Sequence, residues 1–125
     1  QVYGKMLADR IKQQNANVWL VNTGWSGGPY GVGARFKLAY TRAMITSILN
    51  GSLAKVQFKP DEIFGLPIPV KIPGDLVPDE VLHPRNTWAD KSAYDAKAKE
   101  LAKKFRENDA KFEMDAKIRA AGPKA

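Results

Sequence analysis

The sequence predicts an α/β fold with short strands, a glycine-rich loop and a long terminal helix. Three observations lead there. Val18 Trp19 Leu20 Val21 is a short apolar run of the kind a buried strand shows, and apolar residues recur at helical spacing on both sides of it. The loop from Asn22 to Arg35 carries five glycines, at 24, 27, 28, 31 and 33, between that strand and the second helical stretch. Glycine accepts positive φ and has no Cβ, so such a loop brings bare amides close to a ligand, and Arg35 adds a cation at its far side. An anionic ligand, most simply a nucleotide, is the first candidate.

Taken in order, Tyr3, Leu7 and Ile11 fall on one face and predict an amphipathic first helix, which Asn15 to Asn17 break. The strand at Val18–Val21 follows and feeds the glycine loop. Beyond Arg35, the residues Thr41, Ala43, Met44, Ile45, Ile48 and Leu49 predict a second helix that stops at Asn50 Gly51, a favourable C-terminal cap. Residues 1–53 therefore read as helix, strand, glycine-rich loop and helix. Residues 54–90 contain Pro60, Pro67, Pro69, Pro73, Pro78 and Pro84, each of which removes a donor and restricts its predecessor. One or two edge strands and an extended wrapping segment are expected there, without regular helix. In residues 91–125, Ser92 and Asp95 have capping-box spacing, and Tyr94, Ala98, Leu101, Phe105 and Phe112 predict a helix from about Ser92 to about Phe112. A shorter helical piece, Asp115 to Ala121, ends at Gly122 Pro123.

A chain of 125 residues with 44% apolar composition has the length and the core material of one ordinary domain, or of one piece of a larger one. The latter is expected, because the chain opens on Gln1 and Val2 to Leu7 already read as helix. With no cysteine, disulfide frameworks and thiolate metal sites are excluded, and no apolar run approaches the roughly 20 residues of a membrane span. No signal-peptide pattern is present, so a cytoplasmic location and no membrane partner are expected, and Asn50 Gly51 Ser52 reads as a helix end rather than a glycosylation acceptor.

The net charge of +7 is uneven: six basic residues against one acid over 1–50, four against six over 51–90, ten against six over 91–125. The first excess surrounds the glycine loop. In the last segment bases and acids alternate as on a solvated helix face, which weighs against nucleic acid as the partner.

The loop matches neither familiar phosphate fingerprint. A Rossmann pattern from Gly31 and Gly33 needs glycine where Phe36 stands, and no Gly-Lys-Ser/Thr occurs. An ordinary surface loop is the competing reading. His83, the single histidine, has no second ligand at metal spacing, and Gly24 Trp25 Ser26 Gly27 Gly28, although it has Gly-x-Ser-x-Gly spacing, is not read as a nucleophile elbow. Of the tryptophans, Trp19 reads as core and Trp88 as packing the start of the last helix, leaving Trp25 in the loop. Lys37 and Arg42 serve equally well as phosphate contacts or as solvated charges.

Trp19 Leu20 Val21 Asn22 Thr23 Gly24 Trp25, Gly31 Val32 Gly33 Ala34 Arg35, Tyr40 to Ile45 and Ile48 to Leu53, followed by Phe64 to Pro69, His83 to Trp88 and Ala121 Gly122 Pro123, closely resemble the C-terminal part of ATP-dependent phosphoenolpyruvate carboxykinase. Nearly the whole chain is covered by these ordered blocks. The resemblance implies a C-terminal fragment of a mononucleotide-binding domain. It implies an enzyme that turns oxaloacetate and ATP into phosphoenolpyruvate, ADP and CO2 in gluconeogenesis, with Mg²⁺ on the nucleotide and Mn²⁺ at the active site. The family's nucleotide contacts fall on Arg35, Phe36 and Thr41: a guanidinium, a backbone contact, and a hydroxyl toward the adenosine. Phe36 stands where the family often has an aliphatic residue, and the contact the resemblance implies for it is mainly through the backbone.

The family's phosphate loop, its metal ligands and its oxaloacetate-binding arginines have no counterpart in these residues. The resemblance thus implies one wall of an ATP site that is silent alone, with the remainder of the enzyme as its partner. Two other readings stand beside it. One is a nonenzymatic basic module that binds nucleic acid, and the other is an interaction domain that touches no nucleotide.

Overall fold

The computed structural model describes residues 2–124. It is a mixture of helices and two small antiparallel sheets, consistent with an α/β fragment. Helix α1 spans Val2–Gln14 as the periodicity predicts, yet none of its residues is buried, and Tyr3 and Leu7 point into solvent. Asn15, at φ 48°, ends it; asparagine tolerates this left-handed conformation better than most residues.

The strand expected at Val18–Val21 does not form. The segment is extended but unpaired among the described residues; Val18 and Leu20 are exposed, Trp19 and Val21 are half-buried, and the Trp19 ring lies 6.0 Å from that of Phe58. Without a neighbouring edge to take its amides and carbonyls, an apolar run has no ladder to join. The first strands lie further on: β1 (Trp25–Ser26) and β2 (Ala34–Arg35) pair antiparallel, Trp25 opposite Arg35 and Ser26 opposite Ala34. The glycine loop is therefore the tip of a hairpin, not a strand-to-helix turn.

Helix α2 (Leu38–Leu49) forms as predicted. It closes at Asn50, and Gly51 follows at φ 74°, the left-handed residue that ends many helices. A turn of 3-10 helix at Leu53–Lys55 brings Leu53 into the core. The proline-rich segment supplies β3 (Phe58–Pro60) and β4 (Pro67–Pro69), paired with Lys59 opposite Ile68. Asp61 closes the connecting turn by accepting from the amides of Ile63 and Phe64. Short helical turns also occur here, against expectation: a 3-10 turn at Asp79–Leu82 and α3 (Pro84–Thr87). Pro84 is tolerated because it occupies the first turn of α3, where the missing N–H has no helical partner to lose.

Leu53, Ile72, Val77 and Leu82 form the buried cluster, with Tyr40, Met44 and Ile48 of α2 and Ile68 of β4 packed around it. The proline-rich strap thus wraps across α2 and closes the core. Ile72 is 1% exposed, so truncating it to Ala costs about 2–5 kcal/mol.

Helix α4 runs Lys91–Asp109. Its cap is Asp90, whose carboxylate accepts from the amides of Ser92 and Ala93 at 2.8 and 3.1 Å. The Ser92–Asp95 capping box therefore does not form; Asp95 instead takes a two-pronged bond from Arg85 at 2.7 and 3.0 Å. Its buried stripe is Ala98 and Ala102, while Leu101 and Phe105 stay largely exposed. The helix stops three residues short of Phe112. Helix α5 (Ala116–Ala120) is capped by Asp115, and Lys124 donates its amide to Ile63 at 2.7 Å, tying the end of the chain to the β3–β4 turn.

Candidate functional site

The hairpin and the start of α2 carry all three residues singled out in the sequence. Pro29 accepts from the amides of Val32 and Gly33 at 3.0 and 2.9 Å, which folds the tip back, and Phe36 donates to Gly24 at 2.9 Å, extending the pairing past Arg35. Gly33 is required by crowding: a Cβ there would stand 2.5 Å from the Gly28 carbonyl oxygen and 2.6 Å from that of Ser26. Trp25 and Tyr30 meet edge to face at 5.2 Å across the hairpin.

Arg35 ends β2 with its side chain exposed and, among the described residues, no carboxylate within ion-pair distance. Phe36 is half-buried, its ring edge-on to Tyr40 at 5.6 Å. Its N–H is committed to Gly24, so the carbonyl is the backbone group left over. Thr41 lies in the first turns of α2, half-buried, its amide donating to Lys37.

Lys37 occupies the N-cap of α2 but provides no capping oxygen, and the first turn holds no acid. The ammonium of Lys37 lies 5.4 Å from the centre of the Tyr40 ring. The leading amides of α2 thus lack the side-chain acceptor that a Ser or Asp cap supplies, and the basic residues Arg35, Lys37 and Arg42 lie close to this helix start in sequence. A positive surface without an internal anion is what an anionic ligand needs.

Two concave regions lie elsewhere. One, of about 280 Å³, is lined by Lys59, Asp61, Glu62, His83, Arg85 and Asp95 among others, and its strongest cation, Arg85, is already spent on Asp95. That bond holds the Asp95 carboxyl below its ordinary range. The other, between the end of α4 and α5, is lined by Phe105, Met114, Ile118 and Arg119 among others. Neither is lined by Arg35, Phe36 or Thr41. Among the described residues no three His, Cys, Asp or Glu side chains gather at metal-ligand distance.

Sequence reasoning missed what supports the hairpin from behind. A Cβ on Gly27 would lie 3.2 Å from the carbonyl oxygen of Thr87, so the hairpin leans on the end of α3. Lys91 donates to the carbonyls of Asn86 and Trp88 at 2.8 and 2.7 Å. The legible signal was a lysine directly after a helix cap, where the dipole opposes a cation unless it turns away.

Residues 1–80 match the family model described as phosphoenolpyruvate carboxykinase. The chain is 60% identical over 110 residues to phosphoenolpyruvate carboxykinase (ATP) of Geobacillus thermodenitrificans, covering 88% of this chain and 20% of that protein. It is 55% identical over 122 residues to phosphoenolpyruvate carboxykinase (ATP) 1 of Moorella thermoacetica, covering 97% and 23%. With the Bradyrhizobium diazoefficiens enzyme of that name it shares 51% over 124 residues, covering 98% and 23%. The chain spans about a fifth of the length of these curated relatives. With well over half of its residues matched by the family model, the chain belongs to the phosphoenolpyruvate carboxykinase (ATP) family.

Proposed function

We propose that this chain is a C-terminal portion of an ATP-dependent phosphoenolpyruvate carboxykinase and forms the adenosine-side wall of its ATP site. The whole enzyme converts oxaloacetate and ATP to phosphoenolpyruvate, ADP and CO2, serving gluconeogenesis in the cytoplasm. Nucleic acid and membrane are not its partners. The observation that carries this reading is the unneutralised start of α2: an exposed Arg35, an uncapped helix end and no acid in its first turn, on a chain of this family.

Each residue has a distinct part. Arg35 presents a planar fork of donors to phosphate oxygens, a charge-assisted bond that lysine matches only as a point charge. The carbonyl of Phe36 accepts from a donor on the nucleotide, since its own N–H is occupied within the hairpin. Thr41, six residues after Arg35, offers a neutral hydroxyl to the adenosine side. The amides opening α2 add an anion-favouring field.

These residues bind and orient; they supply neither a phosphate loop nor metal ligands. Mg²⁺ and Mn²⁺ and the oxaloacetate site belong to the other four-fifths of the enzyme, and this chain alone is inactive. The basic nucleic-acid or interaction module is not favoured, because the relatives that match nearly all of the chain are carboxykinases.

The test is Arg35→Ala in a full-length carboxykinase carrying this sequence. Loss of a charge-assisted bond raises the KM for ATP about 10- to 100-fold and leaves that for oxaloacetate within about twofold. A variant in which oxaloacetate suffers most overturns the placement.

A further inference from the structure

We infer that Lys91 is a positioning residue for the nucleotide-contact hairpin, acting through the Asn86–Trp88 turn; this rests on the reading of Arg35 as an ATP contact. Lys91 is the first residue of α4, directly after the Asp90 cap, where the helix dipole disfavours a cation. Its ammonium turns back and donates to the carbonyls of Asn86 and Trp88, at 2.8 and 2.7 Å. Among the described residues no other side chain donates to either carbonyl. These two peptide groups flank the Thr87–Trp88 peptide, so a single charged group fixes the turn on both sides of the Thr87 carbonyl.

The Thr87 carbonyl is the surface on which the hairpin rests. It lies 3.2 Å from the place a Gly27 Cβ would occupy, a contact that only a glycine backbone makes without displacement, and Gly27 itself is at φ 83°. Gly27 follows Ser26, which pairs with Ala34, and the neighbouring pair is Trp25 with Arg35. The route from ammonium to guanidinium is therefore short and entirely backbone: turn, hairpin tip, strand pair. Arg85 secures the same α3 to α4 through Asp95, so loss of Lys91 rotates the turn's peptide groups without releasing the element.

The experiment is steady-state kinetics on the full-length carboxykinase carrying this sequence, with Lys91→Met, Lys91→Arg, Arg35→Ala and the Lys91→Met/Arg35→Ala pair. Lys91→Met raises the KM for ATP about fivefold, the equivalent of one lost hydrogen bond, and leaves the oxaloacetate KM unchanged. Lys91→Arg restores at least half of the loss, and the double variant is no worse than Arg35→Ala, because the lysine acts only through the arginine's position. Gly27→Ala, which disturbs the same contact from the hairpin side, gives the same ATP-selective change and serves if Lys91→Met fails to fold.

If Arg35→Ala impairs ATP but Lys91→Met and Gly27→Ala impair both substrates equally, or neither, the inference is wrong while the placement of Arg35 stands. If Arg35→Ala leaves ATP unaffected, the placement fails and the inference with it. Additive effects in the double variant also overturn it.

Discussion

Gly31 and Gly33 share the hairpin tip but are glycines for different reasons. Gly31, at φ 86°, has open space where a Cβ would stand, so its cost in alanine is backbone strain of about 1–2 kcal/mol. Gly33 has backbone oxygens at 2.5 and 2.6 Å from its Cβ position, and nothing there is a flexible side chain that yields. Gly33→Ala therefore lowers the thermal midpoint more than Gly31→Ala and raises the KM for ATP, whereas Gly31→Ala leaves that KM nearly unchanged. Equal effects in both assays would contradict the crowding argument. Which glycine is structural could not be read from the loop's composition, because crowding is set by atoms brought close only when the hairpin closes.

Among the elements, α4 gives the sharpest tests. Asp90→Ala removes the real cap and costs about 1 kcal/mol, while Ser92→Ala, at the position the capping-box spacing favoured, costs at most a few tenths. The two thermal midpoints compared on the same protein decide it. On the exposed face, Glu100 accepts from Lys97 at 2.8 Å and Lys104 at 2.5 Å, and these bonds, Lys104 first, pull its carboxyl from 4.5 down to about 2. An acid whose folded value is depressed stabilises the helix above its unfolded value, and that contribution fades as pH falls from about 4.5 toward 2. Far-UV circular dichroism of Glu100→Gln should lose this acid-side step in helicity, and salt should shrink it in the unmodified chain. Helix positions were legible because a 3.6-residue apolar period is local. The cap choice was not, since Asp90 and Ser92 both offer an oxygen and only the position of Arg85 draws Asp95 away.

At the scale of the whole molecule, a small buried cluster under the proline-rich strap coexists with broad exposure of apolar side chains on α1, the Val18–Val21 segment and α4. Such a surface favours association, so the isolated chain binds a hydrophobic dye and elutes larger than a monomer, in a size-exclusion run at rising concentration. Leu7→Ser, on a helix with no buried residue, changes the stability of the isolated chain by less than about 0.5 kcal/mol. In a full-length carboxykinase carrying this sequence the same change costs about 2–5 kcal/mol if the rest of the enzyme covers that face. Denaturant midpoints of the two proteins separate these outcomes.

The sequence by itself determined the family, the helices α1, α2, α4 and α5, the stop at Asn50 Gly51, and Arg35, Phe36 and Thr41 as the residues to examine. The helices rest on local chemistry, apolar period and cap residues, whereas the family and the three nucleotide-contact residues rest on a resemblance carried by ordered motifs along the chain. Tertiary structure alone decided that Val18–Val21 stays unpaired, that the glycine loop tips a hairpin, and that Thr87 and Lys91 stand behind it. The physical reason is that a strand exists only by pairing, and a supporting contact only by proximity, and both depend on partners distant in sequence.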